Sequence, residues 1–277
     1  MIWGYANQKY SFKTAALLYP VLIITLSFFH IVPTSLSTFV QQPGVLLALA
    51  TLASSLIPIL CWGFDKFGQI TPDTKKRSTW SYCIALVLFA FALVLITKFF
   101  DHRLTPLLKS VYSTKSEYVA IRGSLLFASL SAGILYSIIF GLGFGTLLYL
   151  RGPKYYWVAG VTMLSTLAIT IGVIINGVSV NSFNTQIYGY IALGAIVPLI
   201  LSFLKEFAYF GIEKKSRFAV KLTTDFILFS LTGFLGTILA FSPTMQKILW
   251  GSGALITVAI LTYVLICRRF VKQVTYP

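Results

Sequence analysis

Charge is what this sequence has least of. Only 10% of its 277 residues are charged, against roughly a quarter in ordinary soluble domains. A soluble chain of this length must cover its surface with polar groups, and these residues cannot do it. Acidic residues are the scarcest, with seven Asp and Glu beside two His. There is no HExxH, no P-loop and no pair of carboxylates within an apolar run. No catalytic group, metal or cofactor is therefore expected. The three cysteines, Cys61, Cys83 and Cys267, are scattered in apolar surroundings and form neither a disulfide framework nor a metal spacing. The strict apolar–polar alternation of a membrane β-barrel is missing. So are a glycosylation sequon, a prenylation box and a convincing cleavable signal.

What is present is a series of long apolar blocks, in a chain that is 57% hydrophobic. Blocks of about 18 or more apolar residues with almost no charge read as bilayer-spanning helices. The expected fold is all-α, a polytopic transmembrane helical bundle forming a single integral membrane domain over residues 1–277. About eight spans are expected, near 14–37, 44–63, 80–99, 123–149, 156–178, 187–204, 222–242 and 249–267. The fourth is longer than a bilayer needs, so it tilts or extends past the membrane. Trp62, Trp80, Tyr155, Tyr156, Trp157 and Trp250 fall at span ends, where aromatics with a polar tip favour the headgroup level. Residues 99–122 form a longer connection, with Leu104, Leu107, Leu108, Val111 and Tyr112 at helical spacing. An amphipathic helix lying on the surface is expected there.

The net charge of +15 would suggest nucleic acid in a soluble chain. Here the basic residues sit between apolar blocks, which points to a bilayer with anionic headgroups and to no nucleic acid. With eight spans, one side collects about 16 of the 22 basic residues, in the N-terminus, the loops near 64–79, 151–155 and 205–221, and the C-terminus. By the positive-inside rule both termini are cytosolic, and the cell membrane is the expected location. The two halves share a loop rhythm that suggests a four-plus-four layout, as in some transporters.

Ionisable residues inside a span are costly and mark function by default. His30 is the only titratable group near the middle of an expected span, and Pro33 beside it can kink the helix. Asp225 lies one turn from Lys221 and reads as an i, i+4 ion pair. Asn176 and Asn181, at the end of the fifth span, are candidates to line a cavity or to serve as caps and turn formers. Gly141 and Gly145 form a GxxxG face for close helix packing, and Gly233 and Gly236 offer another.

Glu117-Tyr-Val-Ala-Ile-Arg122-Gly123, followed by an apolar helix, resembles the EExxxRG motif of the CAAX-protease and bacteriocin-processing family. Phe140-Gly-Leu-Gly-Phe144 is similar to that family's FxxxH, and Asn181 stands for its later asparagine. Tyr118 replaces the second glutamate, and Phe144 replaces the histidine. The resemblance therefore implies an inactive relative, with Glu117 and Arg122 as site residues. The first expectation is instead a non-enzymatic transporter, or transport component, for a hydrophobic or amphiphilic solute. The scarcity of buried charge argues against a steeply ion-coupled mechanism or an ion pore. An accessory subunit packed against a membrane protein partner is the alternative.

Overall fold

The computed structural model describes residues 10–39, 80–112, 114–213, 216–226 and 245–274. Every element among these residues is helical. Helix α1 covers Phe12–Phe39 and α2 covers Trp80–Val111. Helix α3 (Lys115–Tyr136) passes through a π-helical segment, Ser137–Leu142, into α4 (Gly143–Arg151). The three make one rod, Ser116–Arg151, of 36 residues. After a 3-10 turn, Pro153–Tyr155, come α5 (Tyr156–Ser179) and α6 (Phe183–Ile200). A second π-helical segment, Leu201–Lys205, and short turns carry α6 on, so that helix continues over Phe183–Gly211. Residues 216–226 form α7, and α8 is Met245–Gln273.

Five helices are long and apolar enough to cross a membrane: α2, the rod, the one containing α5, the extended α6, and α8. That is compatible with an integral membrane protein. The expected span at 44–63, the basic loop at 64–79 and most of the span at 222–242 lie outside the described residues. Where bilayer replaces water, each backbone N–H and C=O must be paired within the segment, and a helix achieves this. Several side-chain hydroxyls are settled the same way. Thr162, Thr166 and Thr170 of α5 each donate to the carbonyl four residues back, at 3.0, 2.8 and 2.9 Å.

Helix ends follow local chemistry. Thr114 caps α3 by accepting from the Glu117 N–H at 3.2 Å, while the Glu117 carboxylate accepts from the Thr114 N–H at 3.3 Å. The rod stops at Gly152, whose φ of 83° lies in the left-handed region. Pro153 then opens the next turn, where a missing N–H costs nothing.

Helix α6 is the hub, packed against α5 and α3, with α2 on a further side; α8 lies between α2 and α5, and α1 packs on α3 and α4. Apolar side chains gain little from leaving lipid, so close packing has to hold such helices together. Gly145 shows the closeness. A Cβ there would meet the Ala16 carbonyl and come within 2.6 Å of the Pro20 ring. Gly160 likewise gives its space to the Tyr263 ring.

Two expectations change. Residues 99–111 are not a separate surface helix but the last turns of α2, which continues through Pro106. Leu108 is buried, and Leu104 and Leu107 pack against the core. A proline lacks only the bond to the carbonyl one turn earlier, and the exposed Pro106 tolerates that loss. The sixth helix also runs past its expected end at 204, because Lys205 and Glu206 are absorbed into it.

Candidate functional site

One end of the bundle gathers the starts of α1, α2 and α5 and the finishes of the rod, α6 and α8. The Arg269 guanidinium donates to the Ser81 hydroxyl there, the Lys13 ammonium stands over the Tyr149 ring at 5.4 Å, and Phe12 meets Phe270 at 5.8 Å. We call this the basic end. Its centre is the segment 203–212 that follows α6, and every residue of it is buried. Phe207 makes the hub of an aromatic cage, with ring centroids 4.8 Å from Phe203, 5.1 Å from Tyr19 and 5.5 Å from Phe12.

A π-helical segment holds one extra residue per turn and loosens the regular ladder of carbonyls and amides. Tyrosines from other helices attach to backbone carbonyls at and beyond it. Tyr156 of α5 donates to the Leu204 carbonyl, and Tyr82 of α2 donates to that of Ala208 at 2.6 Å. Tyr263 of α8 in turn donates to the Tyr156 carbonyl at 2.6 Å, its ring seated against Gly160. Three helices thereby fix the segment that carries Lys205 and Glu206.

Inside this frame lies a quartet of alternating charge. Lys205 Nζ is 3.3 Å from Glu206 Oε1 and 2.8 Å from Asp225 Oδ1. Lys221 Nζ is 2.5 Å from Glu206 Oε1 and 3.5 Å from Asp225 Oδ2. Each ammonium thus touches both carboxylates, and the quartet is neutral as a whole. The Glu206 side chain is 3% exposed and that of Asp225 is 32% exposed, so the quartet has one deep corner and one open corner. Lys221 also stands 5.0 Å over the Tyr209 ring. Buried Arg217 donates to the Ile212 carbonyl at 3.1 and 3.2 Å and covers the Phe210 ring at 4.8 Å.

An apolar groove of about 800 Å³ runs between α2 and α7; Glu213 is its one charged lining residue, and Val220 and Thr224 in its wall are the chain neighbours of Lys221 and Asp225. Its walls are Trp80, Ile84 and Leu88 of α2 with Ala219, Val220 and Thr224 of α7. The same short helix, α7, supplies one groove wall and two members of the quartet.

The quartet corrects the expectation that buried charge is scarce. Residues 205–221 read as a basic loop because charges cut the apolar run there. Lys205 and Lys221 are instead each paired twice, which makes their burial tolerable. The Lys221–Asp225 pair is present, as one side of the larger figure. The signal available in sequence was a Lys-Glu couple just before the aromatics Phe207, Tyr209 and Phe210, followed by a Lys and an Asp one helical turn apart.

The other candidates do not converge on this site. His30 belongs to α1, and its side chain lies outside the described residues. Asn176 is exposed in the last turn of α5 and accepts the Val180 N–H on its backbone carbonyl at 2.9 Å. Asn181 has φ 52° and makes the turn into α6; asparagine adopts this conformation more readily than most residues. Arg122 binds Tyr118 at 2.9 Å and Asp101 at 3.4 Å, on the exposed face opposite the basic end. Gly141 and Gly145 face Pro20 and Ala16 of α1. Gly233 and Gly236 lie outside the described residues. Among the described residues no group of three metal-ligating side chains occurs.

No family model matches the sequence, and no curated protein or solved structure shows significant similarity to it. The residues behind the protease resemblance are also spread out. Glu117 and Phe140 stand on one continuous rod, about 35 Å apart at 1.5 Å per residue. Glu117 is occupied in its capping box, and Phe140 stacks between Tyr136 and Phe144 at 5.5 and 6.1 Å.

Proposed function

We propose that this chain is a membrane transporter, or the transport component of a larger assembly, for an amphiphilic solute. The basic end and both termini face the cytosol in this reading, in contact with anionic headgroups of the cell membrane. The observation that carries it is that α7 supplies both a wall of the apolar groove and two members of the neutral ion quartet. A solute with a tail and a polar head meets both surfaces along one helix, α7. The tail lies between Trp80, Ile84 and Ala219, and the head reaches the open corner at Asp225. Charged groups inside an apolar bundle are costly, and function is their usual justification.

The test is transbilayer movement of fluorescent fatty acids and lysophospholipids in proteoliposomes holding the purified full chain. Ala219→Trp fills the groove without touching the quartet. It is expected to slow movement about tenfold, against a barrier change of about 1.4 kcal/mol. Equal rates for wild type and A219W would remove the groove from the mechanism. Rates no higher than those of empty liposomes, for every amphiphile, would end the transport reading.

A further inference from the structure

A second cavity, of about 230 Å³, lies between α1, α3 and α6, away from the basic end. Its position along the helices is specific. Ser27, Gly133 and Pro198, all in its wall, each stand within two residues of the midpoint of their helix, for Phe12–Phe39, Ser116–Arg151 and Phe183–Gly211. For helices that cross a bilayer symmetrically, that level is the midplane. The helices are also loosened here. One π-helical segment begins at Ser137, and the other begins at Leu201, beside Ser202; both serines are in the wall.

Hydrogen-bond accounting shows what the wall offers. Ser27 and Ser137 give their protons to the Ile23 and Gly133 carbonyls at 2.8 and 2.7 Å, so their oxygens can only accept. The hydroxyls of Ser129 and Ser202 have no hydrogen-bond partner among the described residues. Pro198 has no N–H, so the Gly194 carbonyl one turn earlier lacks its ordinary helical donor. The wall therefore presents more lone pairs than protons, all on oxygen, and holds no charged residue.

We propose that this cavity binds a small monovalent cation of sodium size that keeps part of its water. Hydroxyl and carbonyl oxygens are hard ligands that suit such an ion and not a soft transition metal. The volume admits the ion together with waters, each needing only about 10–15 Å³ of such space. With no carboxylate, the wall cannot offset the dehydration of a divalent ion, so calcium is excluded. Loosened helices meeting at the midplane are also how coupling-ion sites are assembled in transporters.

The experiment is thermal unfolding of the purified full chain in nanodiscs, with sodium chloride exchanged for choline chloride at constant ionic strength. Sodium is expected to raise the midpoint in a saturable way, while choline and calcium do not. Ser202→Val should raise the half-saturating sodium concentration about tenfold, whereas the similarly shaped Ser202→Thr, which keeps the hydroxyl, should leave it near wild type. A sodium response equal to that of choline overturns the proposal. So does S202V titrating like wild type. If S202V does not fold, S202T and Ser129→Ala decide the matter, because only loss of an oxygen should weaken the response. This readout does not involve transport, so the cation site and the transport reading fail separately.

Discussion

At the end of the bundle opposite the basic one, Arg122 of α3 meets Asp101 of α2 at 3.4 Å, with both side chains about half exposed. At the basic end, Glu206 meets Lys221 at 2.5 Å, with side chains 3% and 9% exposed. Both contacts join opposite charges from different helices, yet they are different objects. The Arg122 pair stands where solvent or headgroups screen it, and holding two long side chains in place offsets most of its attraction. The quartet is closed off except at Asp225, so its three buried charges depend on their neighbours for the solvation they have lost. The lesson is that proximity alone says little about a salt bridge. Burial sets the scale, and sharing each ammonium between two carboxylates makes the burial tolerable.

Breaking the deep corner gives the largest effect. Glu206→Gln leaves Lys221 with Asp225 alone, at 3.5 Å. Thermal unfolding in detergent is expected to report a loss of about 3–5 kcal/mol. An unchanged midpoint would mean that the quartet is not a closed unit. Asp225→Asn acts at the open corner, where water reaches the carboxylate and Lys205 retains Glu206. A loss of about 1–3 kcal/mol is expected, and a loss as large as that of E206Q would erase the distinction between the two corners. Asp101→Asn should cost less than about 1 kcal/mol. Its effect should also shrink as salt rises, because salt screens exposed pairs far more than buried ones. Titrating all three variants with salt sharpens the comparison, since only D101N should converge on wild type.

Much of the scaffold was legible in sequence because membrane helices must be long and apolar. The helix Phe12–Phe39 covers the first expected span, 14–37, though it is not among the five helices long and apolar enough to cross a membrane, and the fifth, expected at 156–178, continues to Ser179. The errors share one cause, which is that a charge was read as an end. Asp101 and Arg103 lie inside α2, and Lys205 and Glu206 lie inside the extended α6. Helices do not stop at a charge when the charge is exposed past the apolar zone or is paired within the bundle. The quartet itself was less visible, because Lys205 and Asp225 are 20 residues apart and no local period connects them. Only its Lys221–Asp225 side follows a helical turn. The second cavity, between α1, α3 and α6, was invisible for a different reason. Ser27, Ser129 and Ser202 are ordinary residues singly, and only packing puts them around one space.

The rod has a consequence of its own. Its 36 residues make it about 54 Å long at 1.5 Å per residue, whereas the hydrocarbon core of a bilayer is about 30 Å thick. Leaning by about 40°, the upper end of the usual range, it would still span roughly 41 Å. In a bilayer of that thickness both tips would then stand among headgroups, with the exposed Glu117 toward one side and the exposed Arg151 toward the other. Such a helix works as a dipstick, since the level at which lipid meets it reports how thick the surrounding membrane is.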